Sequence, residues 1–202
     1  SWQREQWKQL LEDIEEQIIG EVTEQIIHDV MHNKFDSHNQ KDYLFEHEHY
    51  FGAIVVLEKI NNDPDLKCFD VIDGQQRLTT VTLLLAALSD LLDDDQEIIE
   101  DFSKKKLTGS YLIDPFESGD KKYKLILSQT DKDTLIALID KSKVNFPKDY
   151  SLRVKTNYEF FKKKLAENID DLETICKGIA KLLIVDISLD RQYDNPQLIF
   201  ES

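Results

Sequence analysis

Val71-Ile72-Asp73-Gly74-Gln75-Gln76-Arg77-Leu78-Thr79-Thr80 passes from a strand pattern through a glycine turn into a helix pattern within ten residues. Just before and into it, Cys68-Phe69-Asp70-Val71-Ile72 is β-branched and aromatic, the composition of a strand. Asp73-Gly74-Gln75-Gln76-Arg77 breaks that strand. Leu78 through Leu92 is so dense in Leu and Ala that it predicts a helix buried on most sides. A strand, a glycine turn and a helix in this order form a corner with anion chemistry. Gly74 permits positive φ and close approach of backbone to a ligand. The helix entry offers unpaired N–H groups and the positive end of its dipole. Arg77 adds a planar fork of donors suited to phosphate, and Gln75 and Gln76 donate or accept toward a base, ribose or phosphate. Asp73 can hold a cation or position a water. Thr79 and Thr80 can cap the helix or hand a hydroxyl to a phosphate or metal. The same residues also read as an ordinary Asp-Gly turn, with Asp73 capping the helix and pairing with Arg77. Neither a Walker-type Gly-x-x-x-x-Gly-Lys nor a Rossmann glycine triplet occurs, so a nucleotide would be gripped differently.

Upstream, Tyr50-Phe51-Gly52-Ala53-Ile54-Val55-Val56-Leu57 is almost continuously apolar, as a strand buried on both faces should be. Asn61-Asn62-Asp63-Pro64-Asp65 is a turn signal, which predicts an antiparallel hairpin with a long loop. Further back, Trp7, Leu10, Leu11, Ile14 and Ile18 recur at helical spacing; after Gly20, Val22, Ile26, Val30 and Met31 resume it. Downstream, helices are expected over Asp131–Ile139, Leu152–Glu167 and Leu172–Lys181. Tyr123, Leu125 and Leu127 alternate with Lys122, Lys124 and Ile126, a strand pattern. Leu182-Leu183-Ile184-Val185-Asp186-Ile187 reads as another buried strand, and Asn195-Pro196 as the entry to a last helix that the chain cuts short at Ser202. The expected class is α+β: a small sheet carrying the glycine corner and a mostly helical remainder.

Composition narrows the function. The 202 residues carry 25 Lys and Arg against 40 Asp and Glu, a net charge of −15. That excludes a bulk cationic surface for nucleic acid, so any such contact must be local. With 41% apolar residues the chain can bury a core. Two cysteines are too few for a disulfide scaffold and fit a reducing cytoplasm. No apolar run approaches the ~18–20 residues that span a bilayer, and Ser1-Trp2-Gln3-Arg4-Glu5 is no signal-peptide start. An opening Ser1 in place of Met leads us to expect a piece of a longer protein.

The ten residues 71–80 closely resemble the signature of the DGQQR family, the N-terminal domain of GmrSD-type modification-dependent (type IV) restriction proteins. Further similarity lies in Ser1-Trp2 with Leu11-Glu12-Asp13-Ile14 and in Tyr50-Phe51-Gly52-Ala53-Ile54-Val55. It continues in Lys124-Leu125-Ile126-Leu127 with Asp131 and Asp133, and in Leu198-Ile199-Phe200-Glu201-Ser202. The resemblance implies a ParB/sulfiredoxin-like sheet elaborated by extra helices. Residues 1–92 would be the nucleotide-binding core, and residues 93–202 a helix-rich extension returning one strand to it, all in a single compact domain. It implies NTP binding and hydrolysis, with GTP or UTP as candidates and a divalent metal such as Mg2+, controlling DNA cleavage by an HNH-type nuclease domain outside this chain. Carried over by position, the nucleotide site is Asp73, Gly74, Gln75, Gln76 and Arg77, to which Thr79 is added; Asp73 and Arg77 are the catalytic candidates. The family's upstream Gln-Arg segment would precede Ser1, so part of the pocket is expected outside the sequence, leaving this piece foldable but inactive.

Other constellations are weaker. His28 and His32 stand four apart and His47-Glu48-His49 follows, but His28-Asp29-Val30-Met31-His32 lacks the Glu of a zinc-protease helix. No residue is assigned as a metal ligand. Cys68 reads as a small buried group in the strand and Cys176 as a helix cysteine with no evident base beside it; a sulfiredoxin-like reaction would want Cys where Gln75 stands. Asp93-Asp94-Asp95 and Lys104-Lys105-Lys106 read as solvated ends. Lys162-Lys163-Lys164 with Arg153 and Lys155 forms a basic stripe that could touch DNA, although in a chain of this net charge such a stripe more often balances neighbouring acids. No carboxylate triad supports a nuclease acting through this fold. The expected function is therefore an NTP-responsive regulatory domain of a cytoplasmic defence protein that meets modified DNA through the full-length protein. A non-catalytic DNA-sensing or partner-docking module is the alternative.

Overall fold

Val55, Val56 and Leu57 are all buried, and they lie in the strand that takes the centre of the sheet. The computed structural model describes residues 49–60, 67–141 and 146–190. In it β1 (His49–Glu58) lies between β2 (Phe69–Asp73) and β3 (Leu182–Leu189). The β1–β2 pair is antiparallel, from Glu58 opposite Phe69 to Val55 opposite Asp73, as the turn at 61–65 leads one to expect. The β1–β3 pair is parallel, running from His49 opposite Leu182 to Leu57 opposite Leu189. A parallel neighbour needs a long crossover, and here every helix of the described chain lies between β2 and β3.

Five α-helices fill that crossover: α1 (Gln75–Leu91), α2 (Lys104–Leu107), α3 (Gln129–Ile139), α4 (Leu152–Glu167) and α5 (Leu172–Ala180). Leu83, Leu84, Leu85, Ala86, Ala87 and Leu88 of α1 are all buried. Six consecutive buried positions cover every face of a helix, so α1 is the axis of the helical half. Around it one hydrophobic cluster gathers Leu107, Leu135, Tyr158, Phe161, Leu165 and Cys176, so the core crosses residue 92 without a break. Polar groups of the helical half pair across elements. Tyr123 Oη donates to Asp140 Oδ2 at 2.9 Å, and Lys122 Nζ lies 2.6 Å from the same oxygen. Asp90 near the end of α1 accepts from Tyr158 of α4 and, at 2.8 Å, from Lys141 Nζ.

Several expectations are corrected. The helix expected from Leu78 to Leu92 begins at Gln75 and ends at Leu91. The alternating stretch near Tyr123 is not a strand. A 3-10 turn (Gly119–Lys122) precedes an isolated bridge between Tyr123 and Ile113. Tyr123, Leu125 and Leu127 do face the core, but no second strand extends the ladder, so the period of two appears without a sheet. The strand at 182 is not buried on both faces: it is a sheet edge among the described strands, and Leu183, Val185 and Ile187 are 42%, 41% and 43% exposed. The acid run is solvated as expected, Asp93, Asp94 and Asp95 all being exposed, and the lysine run is the short helix α2, where Lys104 pairs with Asp94 at 2.7 Å and Lys106 with Glu97 at 2.8 Å across the surface. The helices expected over 7–31 and beyond Asn195, with His28, His32 and His47, lie outside the described residues.

Burial pushes the Cys176 thiol up to about 12 from its ordinary 9.0, and burial together with Asp90 pushes Tyr158 up as well. Above pH ~9 the unfolded chain releases protons that the folded chain keeps, so stability falls as pH rises. Urea unfolding from about pH 8 to about pH 10 is expected to show that fall, and Cys176→Ala to flatten it.

Candidate functional site

The end of β2 and the start of α1 are joined by one residue, Gly74, at φ 86° and ψ 14°. This left-handed conformation strains any residue with a Cβ. Space is as tight as the backbone: a Cβ on Gly74 would lie 2.7 Å from Ile54 Cγ2 and 3.1 Å from the Ala53 carbonyl oxygen. The turn is therefore pressed directly against β1. Leu78 N–H donates to the Gly74 carbonyl at 3.1 Å and closes the first helical turn. Gly74 itself is the N-cap, no side chain caps the helix, and the first turn contains no acid. By helical geometry the amides of Gln75, Gln76 and Arg77 have no intrahelical acceptor.

Because the helix starts at Gln75, the Gln-Gln-Arg residues are not loop. They are helical and point about 100° apart. Gln75 turns back along β2, its Nε2 donating to the Val71 carbonyl at 2.9 Å. Arg77 turns the other way, onto β1, where Nη1 donates to the Ala53 carbonyl at 3.0 Å. The reason this carbonyl is available lies in the ladder. Pairing of β2 with β1 stops at Asp73 opposite Val55, so Ala53 lies beyond the last pair and the guanidinium stands where a strand partner would. Among the described residues the half-buried Arg77 makes no ion pair with a carboxylate; this neutral oxygen is its partner.

Asp73 is exposed at the rim and does not cap the helix, and it forms no ion pair with Arg77; the bland reading of Asp73–Arg77 as cap and salt bridge is overturned. Thr79 and Thr80 do not cap either. Their hydroxyls donate to the carbonyls one turn back, Gln75 and Gln76, both at 2.8 Å. The corner thus gathers the amides beside Gly74 with Arg77 on one flank and Gln75 on the other, while Thr79 sits a turn higher. The basic stripe on α4 is largely spoken for: Arg153 holds Asp131 at 2.7 Å, Lys155 stands 3.8 Å from Glu159, and Lys163 and Lys164 lie near Glu167. Among the described residues no group of three His, Cys, Asp or Glu is placed to hold a metal, and no helix is long and apolar enough to cross a membrane.

Sequence reasoning missed Gly52 as a site residue. It sits at φ +124°, beside a register shift in β1, and a Cβ there would lie 2.6 Å from Arg77 Nε. A glycine inside an otherwise apolar strand was the available signal, since it marks a bulge or a close approach.

The chain is thus an α+β domain with a strand–glycine–helix corner, an uncapped helix entry and a first-turn arginine that reaches across to the neighbouring strand. The family model of the GmrSD restriction endonuclease N-terminal domain matches residues 1–202, and the chain belongs to that family. No curated protein matches the chain.

Both glycine constraints at position 74 are measurable. Gly74→Ala is expected to cost ~1–3 kcal/mol of stability. Gly119→Ala, also at positive φ (61°) but with nothing within 4 Å of its Cβ, should cost less by the steric part. Urea midpoints of the two variants check the difference.

Proposed function

We propose that this domain binds a nucleoside triphosphate at the Asp73–Arg77 corner, and that binding, with hydrolysis, regulates DNA cleavage by a nuclease domain outside this chain. Membership of the GmrSD family supports a role in a restriction or defence system acting on DNA. The observation that carries the nucleotide assignment is the state of Arg77. A guanidinium paired with a neutral carbonyl, beside an uncapped and acid-free helix entry, is an arrangement that favours an anion. The three-stranded sheet with its strand–turn–helix corner fits a ParB/sulfiredoxin-like core.

In this reading the amides of Gln75 and Gln76 and the guanidinium of Arg77 hold the phosphates. The carboxylate of Asp73, exposed at the rim, orients a divalent cation such as Mg2+ or the attacking water. Gln75, with Nε2 already donating to Val71, keeps its oxygen as an acceptor for a ribose hydroxyl or a base N–H. Thr79 reaches the site only by giving up its bond to Gln75 or by accepting. The protein is read as cytoplasmic and meets modified DNA through its full-length form.

Arg77→Ala is expected to lower affinity for GTP or UTP by ~10-fold to ~100-fold while the melting temperature stays within a few degrees. Calorimetric titration of the mutant and wild-type full-length proteins, with phosphate release measured in Mg2+, decides the matter. Equal affinity of mutant and wild type rejects the site. Tight DNA binding that ignores nucleotide favours a DNA-sensing module instead.

A further inference from the structure

We propose that Gly52 is the positioning residue for Arg77: the missing Cβ at position 52 is the seat on which the guanidinium rests. An arginine in the first turn of a helix has a long, rotamer-rich side chain, and fixing it needs a partner surface. Here β1 supplies two features side by side. The Ala53 carbonyl, beyond the last rung of the β1–β2 ladder, accepts from Nη1 at 3.0 Å. One residue earlier, Gly52 lets the side chain lie against bare backbone. A Cβ built there would fall 2.6 Å from Nε, 3.1 Å from Cδ and 3.2 Å from Cζ. All three atoms belong to the same stretch of the arginine, so any side chain at 52 displaces the guanidinium as a whole.

The seat is held in place. The register of β1 against β3 shifts between Tyr50 and Gly52, and such bulges re-aim the residues beside them. Phe51, the residue inside that shift, packs against the helical core. One residue of the bulge is thus anchored among the helices while the next faces Arg77. The Phe51-Gly52 pair converts a strand irregularity into a fixed orientation for a cation.

The functional consequence rests on the nucleotide reading above, whereas the seat itself does not, and the test separates them. The full chain has four arginines, so its Nε–H spectrum is sparse; the Arg77 resonance is assigned by its loss in Arg77→Lys. Gly52→Ala is expected to shift that resonance toward the position of a solvent-exposed arginine. It should also lower the melting temperature, and by less when introduced into Arg77→Ala, because the clash is gone and only backbone strain remains. GTP affinity should fall ~10-fold or more in Gly52→Ala, with no further loss on adding Gly52→Ala to Arg77→Ala. An unmoved Arg77 resonance in folded Gly52→Ala overturns the proposal. So does a melting loss equal in the two backgrounds, or failure of both Gly52 variants to fold, since backbone strain alone then accounts for the effect. If wild type binds no nucleotide while the resonance and melting results hold, the seat stands and the nucleotide reading falls.

Discussion

The distance between the backbone of β1 and the turn at Gly74 governs the rest of the structure. With a Cβ at 74 falling 2.7 Å from Ile54 Cγ2, the corner forms without strain only if that position has no side chain and accepts a left-handed backbone. Close approach of two backbones is what lets α1 leave the sheet immediately after β2, with its first turn over β1 rather than out in solvent. It also leaves the Ala53 carbonyl within reach of Arg77. A looser turn would separate the helix entry from the strand and leave amides and guanidinium in different places.

Energetically the two halves of α1 differ. From Leu83 to Leu88 it is enclosed by apolar side chains, and each buried leucine among them is worth roughly 1.5–3 kcal/mol. The first turn carries Gln75, Gln76 and Arg77, polar residues with no cap and no acid to stabilise it. The helix holds together because the enclosed part stabilises the whole element, which frees the first turn from meeting the usual capping preference. A local rule broken at one end and compensated at the other is the pattern expected where sequence serves a site.

Much of this was legible beforehand, and the failures have physical causes. The hairpin followed from β-branched runs around Asn61–Asp65, and the helix expected over Leu152–Glu167 is α4, which buries Val154, Tyr158, Phe161 and Leu165 and has its entry capped by Ser151. The start of α1 was misplaced by three residues because Gln and Arg are helix formers that look like loop beside Asp-Gly. Alternation at Tyr123–Leu127 reports facing, not pairing; only the chain opposite decides whether a ladder forms. The exposure of Leu183, Val185 and Ile187 could not be read from an apolar run, because sheet edge and sheet centre share one composition. At the site, residue types were readable but directions were not: Gln75 and Arg77 diverge once they are helical, and Gly52's partner lies 25 positions downstream, a pairing that no local pattern encodes.

With 17 residues, α1 is ~25 Å long. One rod therefore carries Arg77 near its head and Asp90 near its foot, where Asp90 is bound to Tyr158 of α4 and to Lys141. Close packing along its middle leaves no slack to absorb movement. A tilt imposed at the head must be taken up at the foot, which makes the Asp90–Tyr158 junction the far bearing of an axle whose near bearing is the glycine corner.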